Sequence, residues 1–482
     1  MMMRLSQAAQ ALGVPFTGRD VEFNAVSTDS RAVRQGDLFV ALRGERFDGH
    51  GFVAQAAAAG ASAAMVEQVR DPGSASRDPA VQLPLIVVAD TLLALGKLAQ
   101  HWRRQFDIPL VALTGSNGKT TVKEMLAAIL RAAVDSGPRV ANPQSLVLAT
   151  RGNLNNHIGV PLTLLELRRE HRYAVIEMGM NHAGEISYIT RLAEPDVALI
   201  TNAGLAHIEF LGSSEAIARA KGEIFEGLKT DGVAVINADE RYAPLWRELA
   251  AGRRQLEFGL EAGAAVSASY RLRGLDSEIM LKTPLGETRA VVPAPGVHNV
   301  RNALAASAAA SALQVPPAAV AAGLARFPGV KGRLQRKSGL HGATLIDDSY
   351  NANPDSVRAA IAVLAQMPGT RLLVLGDMGE LGPQAAALHA EVGEFARASG
   401  IDRLLTLGEL SAQAAQAFGA GARHFPRIEE LLADVENALA PGVTVLVKGS
   451  RFMQMERVVR SFEMESEDSG HPALATGGCE CS

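Results

Sequence analysis

An α/β architecture of three domains is predicted from three observations on the 482-residue chain. Short apolar runs alternate with helical patterns over most of the length, the signature of mostly parallel sheets. A strand, a glycine loop, a Lys-Thr-Thr and a helix follow one another near residue 115. Pro316-Pro317 close the middle block, and a second α/β alternation starts after about residue 328. At roughly 150 residues per domain, this length accommodates about three cores.

Composition narrows the class. With 48% hydrophobic and 20% charged residues, the chain has no character of disorder. Lys and Arg number 47 against 51 Asp and Glu, a net charge of −4, which argues against a nucleic-acid binder acting through bulk charge. The two cysteines, Cys479 and Cys481, lie at the C-terminal end and cannot staple the body, which fits the reducing cytoplasm. Ser6, Gln7 and Gln10 interrupt what a signal peptide needs as an apolar core. No run of 18 apolar residues occurs, so no membrane span is expected.

The first block, residues 1–100, holds the strand-like runs Leu38–Leu42 and Leu85–Val88. Ala56–Ala64 reads as packed helix and Asp71–Pro79 as a surface loop. The second block, 101–327, carries strands at Pro109–Thr114, Tyr173–Ile176, Val197–Thr201 and Val233–Asn237, with a helix at Val122–Ala133. Residues 255–295 alternate in the β period with turn signals and predict a small antiparallel appendage. A helix over Asn299–Leu313 and then Pro316-Pro317 close the block. The third block, 328–460, places strands at Thr344–Ile346, Arg371–Leu375, Arg403–Leu407 and Thr444–Val447, a small doubly wound, Rossmann-like domain. Its glycines, Gly376, Gly379 and Gly382, are spaced wrongly for a dinucleotide fingerprint. Residues 461–482 are polar and acidic and read as a disordered tail.

The segment Gly115-Ser116-Asn117-Gly118-Lys119-Thr120-Thr121 predicts a phosphate site. Glycines let backbone N–H groups turn toward phosphate oxygens, and the helix N-terminus adds partial positive charge. Lys119 can reach the β- and γ-phosphates, and Thr120 can offer its hydroxyl to Mg²⁺. The loop departs from the full P-loop pattern because Leu113 stands where its first glycine belongs. The bland alternative is a Gly/Asn turn between strand and helix. Strand, loop, Lys-Thr-Thr and helix in that order favour a nucleotide.

Glu177 ends the strand Tyr173–Ile176, and His207 lies just past Val197–Thr201. Loops at the carboxyl ends of parallel strands line the ligand crevice, so both can face the same phosphates. Mg²⁺ prefers oxygen, which makes Glu177 the natural ligand; His207 alone reads as a structural histidine. Lys221, alone on a helix, reads as part of a solvated face.

The sequence Thr-Gly-Ser-Asn-Gly-Lys-Thr-Thr at 114–121 resembles the ATP loop of the Mur ligases and of their relatives, the folylpolyglutamate synthetases. These are ATP-dependent amide-bond-forming enzymes. The resemblance extends over about residues 25–460. Gly296-Val297-His298-Asn299-Val300-Arg301-Asn302 is similar to the family segment whose Asn contacts adenine, which implies Asn302 with Asn299 beside it; Asn299 also reads as a helix N-cap. Gly332-Arg333 resembles the family arginine that reaches the γ-phosphate on domain closure, and Asp348-Ser349 its Asp-Ser pair near the nucleotide. The family also carries a lysine at the place of Lys221 that CO₂ converts to a carbamate. Only a neutral amine reacts so, which requires a site that lowers its pKa.

Among family members, Asp347-Asp348-Ser349-Tyr350-Asn351-Ala352-Asn353-Pro354-Asp355-Ser356 looks like the signature of the branch that adds D-alanyl-D-alanine. Gly152–Leu165, Glu177–Asn181, Leu375–Gly382 and Val447–Arg451 resemble the same branch. Ser27–Arg31, Gly36–Leu42 and Asp48–Phe52 are similar to its UDP-binding domain, with Gly51 where Asp is usual; His157 and Leu205 also depart from its pattern. The resemblance implies Ser30, Arg31, His50, Asn153, Asn155 and Asn156 at the UDP sugar, and Asn351 and Asn353 as further substrate contacts. It implies a metal set of Thr120, Glu177, His207 and carbamylated Lys221 holding two Mg²⁺. The expected catalytic set is Lys119, Glu177, His207, Lys221, Arg333 and Asp348. The implied reaction joins D-alanyl-D-alanine to UDP-N-acetylmuramoyl-tripeptide through an acyl phosphate, by a cytoplasmic monomer. Another amino-acid ligase of the family is the nearest alternative. A regulatory P-loop ATPase leaves Glu177, His207 and the third block without a role.

Overall fold

A computed structural model describes residues 1–44, 47–68, 83–135, 146–204, 211–261 and 263–464. They pack as two compact units: Met1–Val330 with Glu380–Gly382, and Lys331–Gly379 with the residues from Pro383 onward. The architecture is α/β throughout, with parallel sheets in both units.

After a short antiparallel pair, Met3–Arg4 with Glu22–Phe23, the first unit builds a four-stranded parallel sheet of Val26–Ser27, Leu38–Val40, Ala63–Glu67 and Leu85–Val88, paired in that order. The helix expected over Ala56–Ala64 is corrected: it stops at Ala58, and Ala63 and Ala64 begin a strand. Gly60 makes the turn between them at φ +102°, a region costly for other residues. Alanine fits a tightly packed strand as well as a helix, so its abundance hid the boundary.

The central sheet has six parallel strands in the spatial order Arg254–Phe258, Val233–Asn237, Val197–Ile200, Leu110–Thr114, Tyr173–Glu177 and Val147–Ala149. Leu110–Thr114, in the middle, is buried along its length, as a parallel strand covered on both faces requires. Arg254–Phe258 is not part of the appendage; it pairs in parallel with Val233–Asn237 at the sheet edge. An edge strand shows the same half-polar pattern as an antiparallel one. The appendage itself is a three-stranded antiparallel sheet, Ser267–Arg273, Asp276–Thr283 and Gly286–Val292. Ile279, Leu281, Ala290 and Val292 are buried with the helix Val297–Ala312 in one core. Pro316-Pro317 opens a further helix, Pro317–Ala325, rather than closing the block. That helix lies against the one that follows the phosphate loop: a Cβ on Gly323 would collide with the backbone of Ile129.

The four-stranded and six-stranded sheets share a core through the helix Thr91–Arg103. Its Leu95 and Leu98 are fully buried, Trp102 Nε1 donates to Leu167 O at 3.1 Å, and Arg103 Nε donates to Ala193 O at 3.1 Å.

The second unit is a six-stranded sheet in the order Gln335–Ser338, Thr344–Asp348, Val443–Lys448, Thr370–Gly376, Arg403–Leu407 and Ala422–Phe425. All pairs are parallel except the first, which is antiparallel. Both outer strands went unread in the sequence because edge strands carry polar residues, here Gln335, Arg336, Lys337 and Ser338. The helix Glu456–Phe462 runs beyond residue 460, and Met464 N donates to Ser338 O at 2.9 Å, so the expected tail does not begin at 461. Residues 465–482, with both cysteines, and the loop Asp71–Pro79 lie outside the described residues. Among the described residues no helix is long and apolar enough to cross a membrane.

Candidate active site

The phosphate loop leaves the central strand Leu110–Thr114 and enters the helix Lys119–Asp135. Gly115 and Gly118 sit at φ +154° and +81°, where a side chain is strained. The next strand end clamps the loop. Ser116 N donates to Asn202 O at 3.1 Å, Asn117 N to Asn202 Oδ1 at 2.8 Å, and Thr201 Oγ1 to Asn117 O at 2.8 Å. Asn202 carries this clamp and was not singled out in the sequence; its place at the end of the strand beside the loop strand is the signal. Lys119 Nζ folds back to donate to Gly115 O at 2.6 Å.

Asn302 stands against the loop, where a Cβ on Gly118 would collide with its Oδ1. Asn302 Nδ2 donates to Asn299 Oδ1 at 3.0 Å, and Asn299 Nδ2 donates to Pro295 O at 2.8 Å. Asn299 is therefore not the N-cap, which is Gly296; it anchors Asn302 from one turn away. Gly118→Ala is expected to weaken ADP binding about ten-fold or more, since an unfavourable backbone region costs roughly 1–3 kcal/mol. Calorimetric titration with ADP checks this.

Glu177 ends the strand next to the loop strand, in register with Leu113. It is 2% exposed, its Oε1 accepts from Asn155 Nδ2 at 2.9 Å, and its Oε2 is buried without a hydrogen-bond partner among the described residues. A buried carboxylate oxygen left open beside a phosphate loop suits a hard cation. Among the described residues, no group of three or more His, Cys, Asp or Glu is placed to hold a metal ion by itself. A Mg²⁺ here would thus rest on Glu177, a hydroxyl and phosphate oxygens, which is how Mg²⁺ is commonly held. His207 lies outside the described residues.

Lys221 lies in the last turn of the helix Ser214–Gly222 and is 1% exposed, so the solvated-face reading is overturned. Among the described residues it makes no hydrogen bond or ion pair. Burial, and then the nearby Lys119 ammonium, hold its pKa well below the ordinary lysine value.

The residues expected at the UDP sugar divide. Arg31 is exposed and forks onto Asp29 with bonds of 2.9 and 2.8 Å, and Ser30 Oγ donates to Gln55 at 3.1 Å. His50 is buried, with Nδ1 on Asp48 and Nε2 accepting from Glu67 N at 2.8 Å, so both ring nitrogens already hold the fold. Asn156 Oδ1 caps the helix start by accepting from Gly159 N at 2.9 Å, and Asn153 is exposed. Asn155 turns inward to Glu177, toward the phosphate loop rather than away from it.

In the second unit, Asp348 ends the strand Thr344–Asp348 and accepts from Lys448 Nζ at 2.6 Å and from Leu334 N at 3.1 Å. Burial pushes its carboxyl up; the Lys448 ammonium and then Arg333 pull the other way. Lys448, unread as a site residue, neutralises a carboxylate that would be costly to bury alone. The Arg333 guanidinium stacks on the Tyr350 ring at 4.5 Å. Asn351 Oδ1 accepts from Ala352 N at 2.9 Å, while Asn353 caps the helix Pro354–Leu364 in a capping box with Ser356. Asn353 thus has a structural duty that its motif did not announce.

The loop after strand Thr370–Gly376 is held by His389, fully buried, whose Nε2 accepts from Met378 N at 2.9 Å and whose Nδ1 lies 2.7 Å from Ala385 O. Burial pushes its pKa down. A histidine depressed in the folded state contributes stability above its unfolded value of about 6.5 that is lost as pH falls. Thermal unfolding followed from pH 8 to 5 should show Tm falling below about pH 6.5, with a shallower fall in His389→Gln.

Family models match the chain in three stretches: Mur ligase family, catalytic domain, at residues 22–103; Mur ligase middle domain at 113–310; and Mur ligase, glutamate ligase domain, at 332–451. The UDP-N-acetylmuramoyl-tripeptide–D-alanyl-D-alanine ligase of Escherichia coli is 43% identical over 463 residues, covering 95% of this chain and 98% of that one. The chain belongs to the Mur ligase family. The resemblance read from the loop and the Asp-Asp-Ser-Tyr-Asn-Ala-Asn-Pro segment is borne out. Among solved structures, MurF from Acinetobacter baumannii superposes on this Mur ligase with a TM-score of 0.85 at 38% identity, covering 95% of this chain and 97% of that one. The MurF ligase from Thermotoga maritima in complex with ADP gives 0.76 at 28% identity, covering 91% and 96%.

Proposed function

We propose that this Mur ligase joins D-alanyl-D-alanine to UDP-N-acetylmuramoyl-tripeptide at the expense of ATP, giving UDP-N-acetylmuramoyl-pentapeptide for peptidoglycan synthesis. The observation that carries the reading is the grouping of Lys119, Glu177 with its open Oε2, and buried Lys221, which makes no hydrogen bond or ion pair among the described residues, around one phosphate loop. The named activity of the Escherichia coli relative, matched over nearly its whole length, supports the choice of substrates.

A carboxylate does not react with an amine at neutral pH until one oxygen becomes a leaving group. Here the tripeptide carboxylate attacks the γ-phosphorus of ATP, the bond to ADP breaks, and an acyl phosphate forms. The dipeptide amine then adds to the acyl carbon, loses a proton, and phosphate departs with the original carboxylate oxygen. The loop Gly115–Thr121 binds the phosphates, and Lys119, released from Gly115 O, spreads positive charge over the transferring group. Asn302, anchored by Asn299, meets the adenine edge with its amide. When bound, Mg²⁺, two ions in our reading, neutralises phosphate oxygens. Thr120 and Glu177 would hold one ion, and His207 and Lys221 the other. Lys221 serves as a carbamate, formed when its neutral Nζ adds to CO₂ and loses a proton. Arg333 supplies a cation for the γ-phosphate, and Asp348, fixed by Lys448, orients the incoming amine.

Residues 1–100 bind the UDP sugar through Ser30 and Arg31, with His50 shaping that loop from beneath, and Asn153, Asn155 and Asn156 of the middle block complete its site. Residues 101–327 bind ATP, and 328–460 bind the dipeptide, with Asn351 and Asn353 framing its site. The enzyme works in the cytoplasm as a monomer. ADP release tests the reading. It should depend on UDP-muramoyl-tripeptide and D-alanyl-D-alanine together; equal release with single amino acids would assign a different ligase of the family.

A further inference from the structure

Lys123 stands one turn beyond Lys119 on the same helix, yet it is turned away from the phosphate loop into the protein. Its side chain is 1% exposed, and its Nζ donates to Thr150 O at 2.6 Å and pairs with Glu124 Oε1 at 2.9 Å. Lysine is almost never buried to this degree unless paired. Thr150, itself 1% exposed, follows the edge strand Val147–Ala149. Its N donates to Val175 O at 3.0 Å, and its Oγ1 accepts from Glu177 N at 2.9 Å. A continuous chain therefore runs from the phosphate-loop helix through Lys123 and Thr150 to the backbone of Glu177, the residue whose Oε2 is open. Filling this space alone would be served by an apolar side chain with no ammonium to desolvate. The charge makes sense as a strong, directional tie on the Thr150 carbonyl.

We propose that Lys123 is a positioning residue for Glu177, fixing through Thr150 where that carboxylate stands for the divalent cation of the metal–nucleotide complex. The proposal rests on the reading of Glu177 as the metal-holding carboxylate. Groups that orient ligands in this way typically change metal affinity about 10- to 100-fold when removed.

The test is calorimetric titration of the full chain with ADP, with and without Mn²⁺, on Lys123→Met, Thr150→Val, Glu177→Gln and the double variants. Lys123→Met should weaken Mn²⁺-dependent ADP binding about 10-fold, leave metal-free ADP affinity in place, and raise the KM for Mg²⁺ without moving that for the dipeptide. On the Glu177→Gln background the same substitution should add nothing. An equal loss on both backgrounds, or a loss of metal-free ADP binding of the same size, would overturn the proposal. If Lys123→Met does not fold, Thr150→Val carries the same prediction, because it cuts the link to Glu177 N while keeping the shape. Full Mn²⁺-dependent binding in Glu177→Gln alone would instead overturn the assignment of Glu177. A normal loss there with no effect of Lys123→Met and Thr150→Val sinks only the role of Lys123.

Discussion

Lys221→Ala is expected to lose ligase turnover by about 10³-fold, the scale on which one preorganised charge acts in a water-excluded site, while ADP binding stays near the wild-type level. Short carboxylic acids added to this variant should restore part of the activity, because they return the missing carboxylate oxygens without the side chain. The physical ground is the environment: a fully buried amine, facing the Lys119 charge and making no ion pair among the described residues, is pushed toward the neutral form that reacts with CO₂. Turnover measured against added formate, acetate and propionate checks this, and absence of any rescue counts against the carbamate.

Lys119→Ala should abolish turnover by at least about 10³-fold, as removal of a transition-state cation does in phosphoryl transfer, and should weaken ADP binding as well. In the described structure its Nζ rests on Gly115 O, part of the loop that would cradle the phosphates, so the ammonium is held within reach of the β- and γ-oxygens. The split between the two lysines is informative. Lys119 acts on nucleotide and on rate; Lys221 acts on rate alone. Near-normal turnover in Lys119→Ala would remove the phosphate-loop assignment.

Much of this was legible in the sequence because local chemistry dictated it. The loop at 115–121 needs glycine at positive φ and a lysine at the helix start, and such demands leave a fixed pattern. Glu177 and the central strands followed from apolar runs ended by a polar residue. Edge strands, by contrast, look like loops, and Gln335–Ser338 and Arg254–Phe258 were missed or misassigned for that reason. The burial of Lys221 was illegible, since a helical lysine shows its surroundings only after packing. The same holds for Lys448 under Asp348 and for Lys123 under Thr150: their partners lie 100 and 27 residues away. His50 and Asn353 show the converse, where a motif residue turns out to hold the backbone.

The central claim is that a muropeptide carboxylate is activated by phosphorylation and then captured by D-alanyl-D-alanine. Tripeptide substrate carrying ¹⁸O in both oxygens of the reacting carboxylate, turned over with ATP and the dipeptide, tests it most directly. Mass spectrometry should find one label retained in the pentapeptide product and the other in the inorganic phosphate. Unlabelled phosphate, or ADP release without a pentapeptide, would contradict the account.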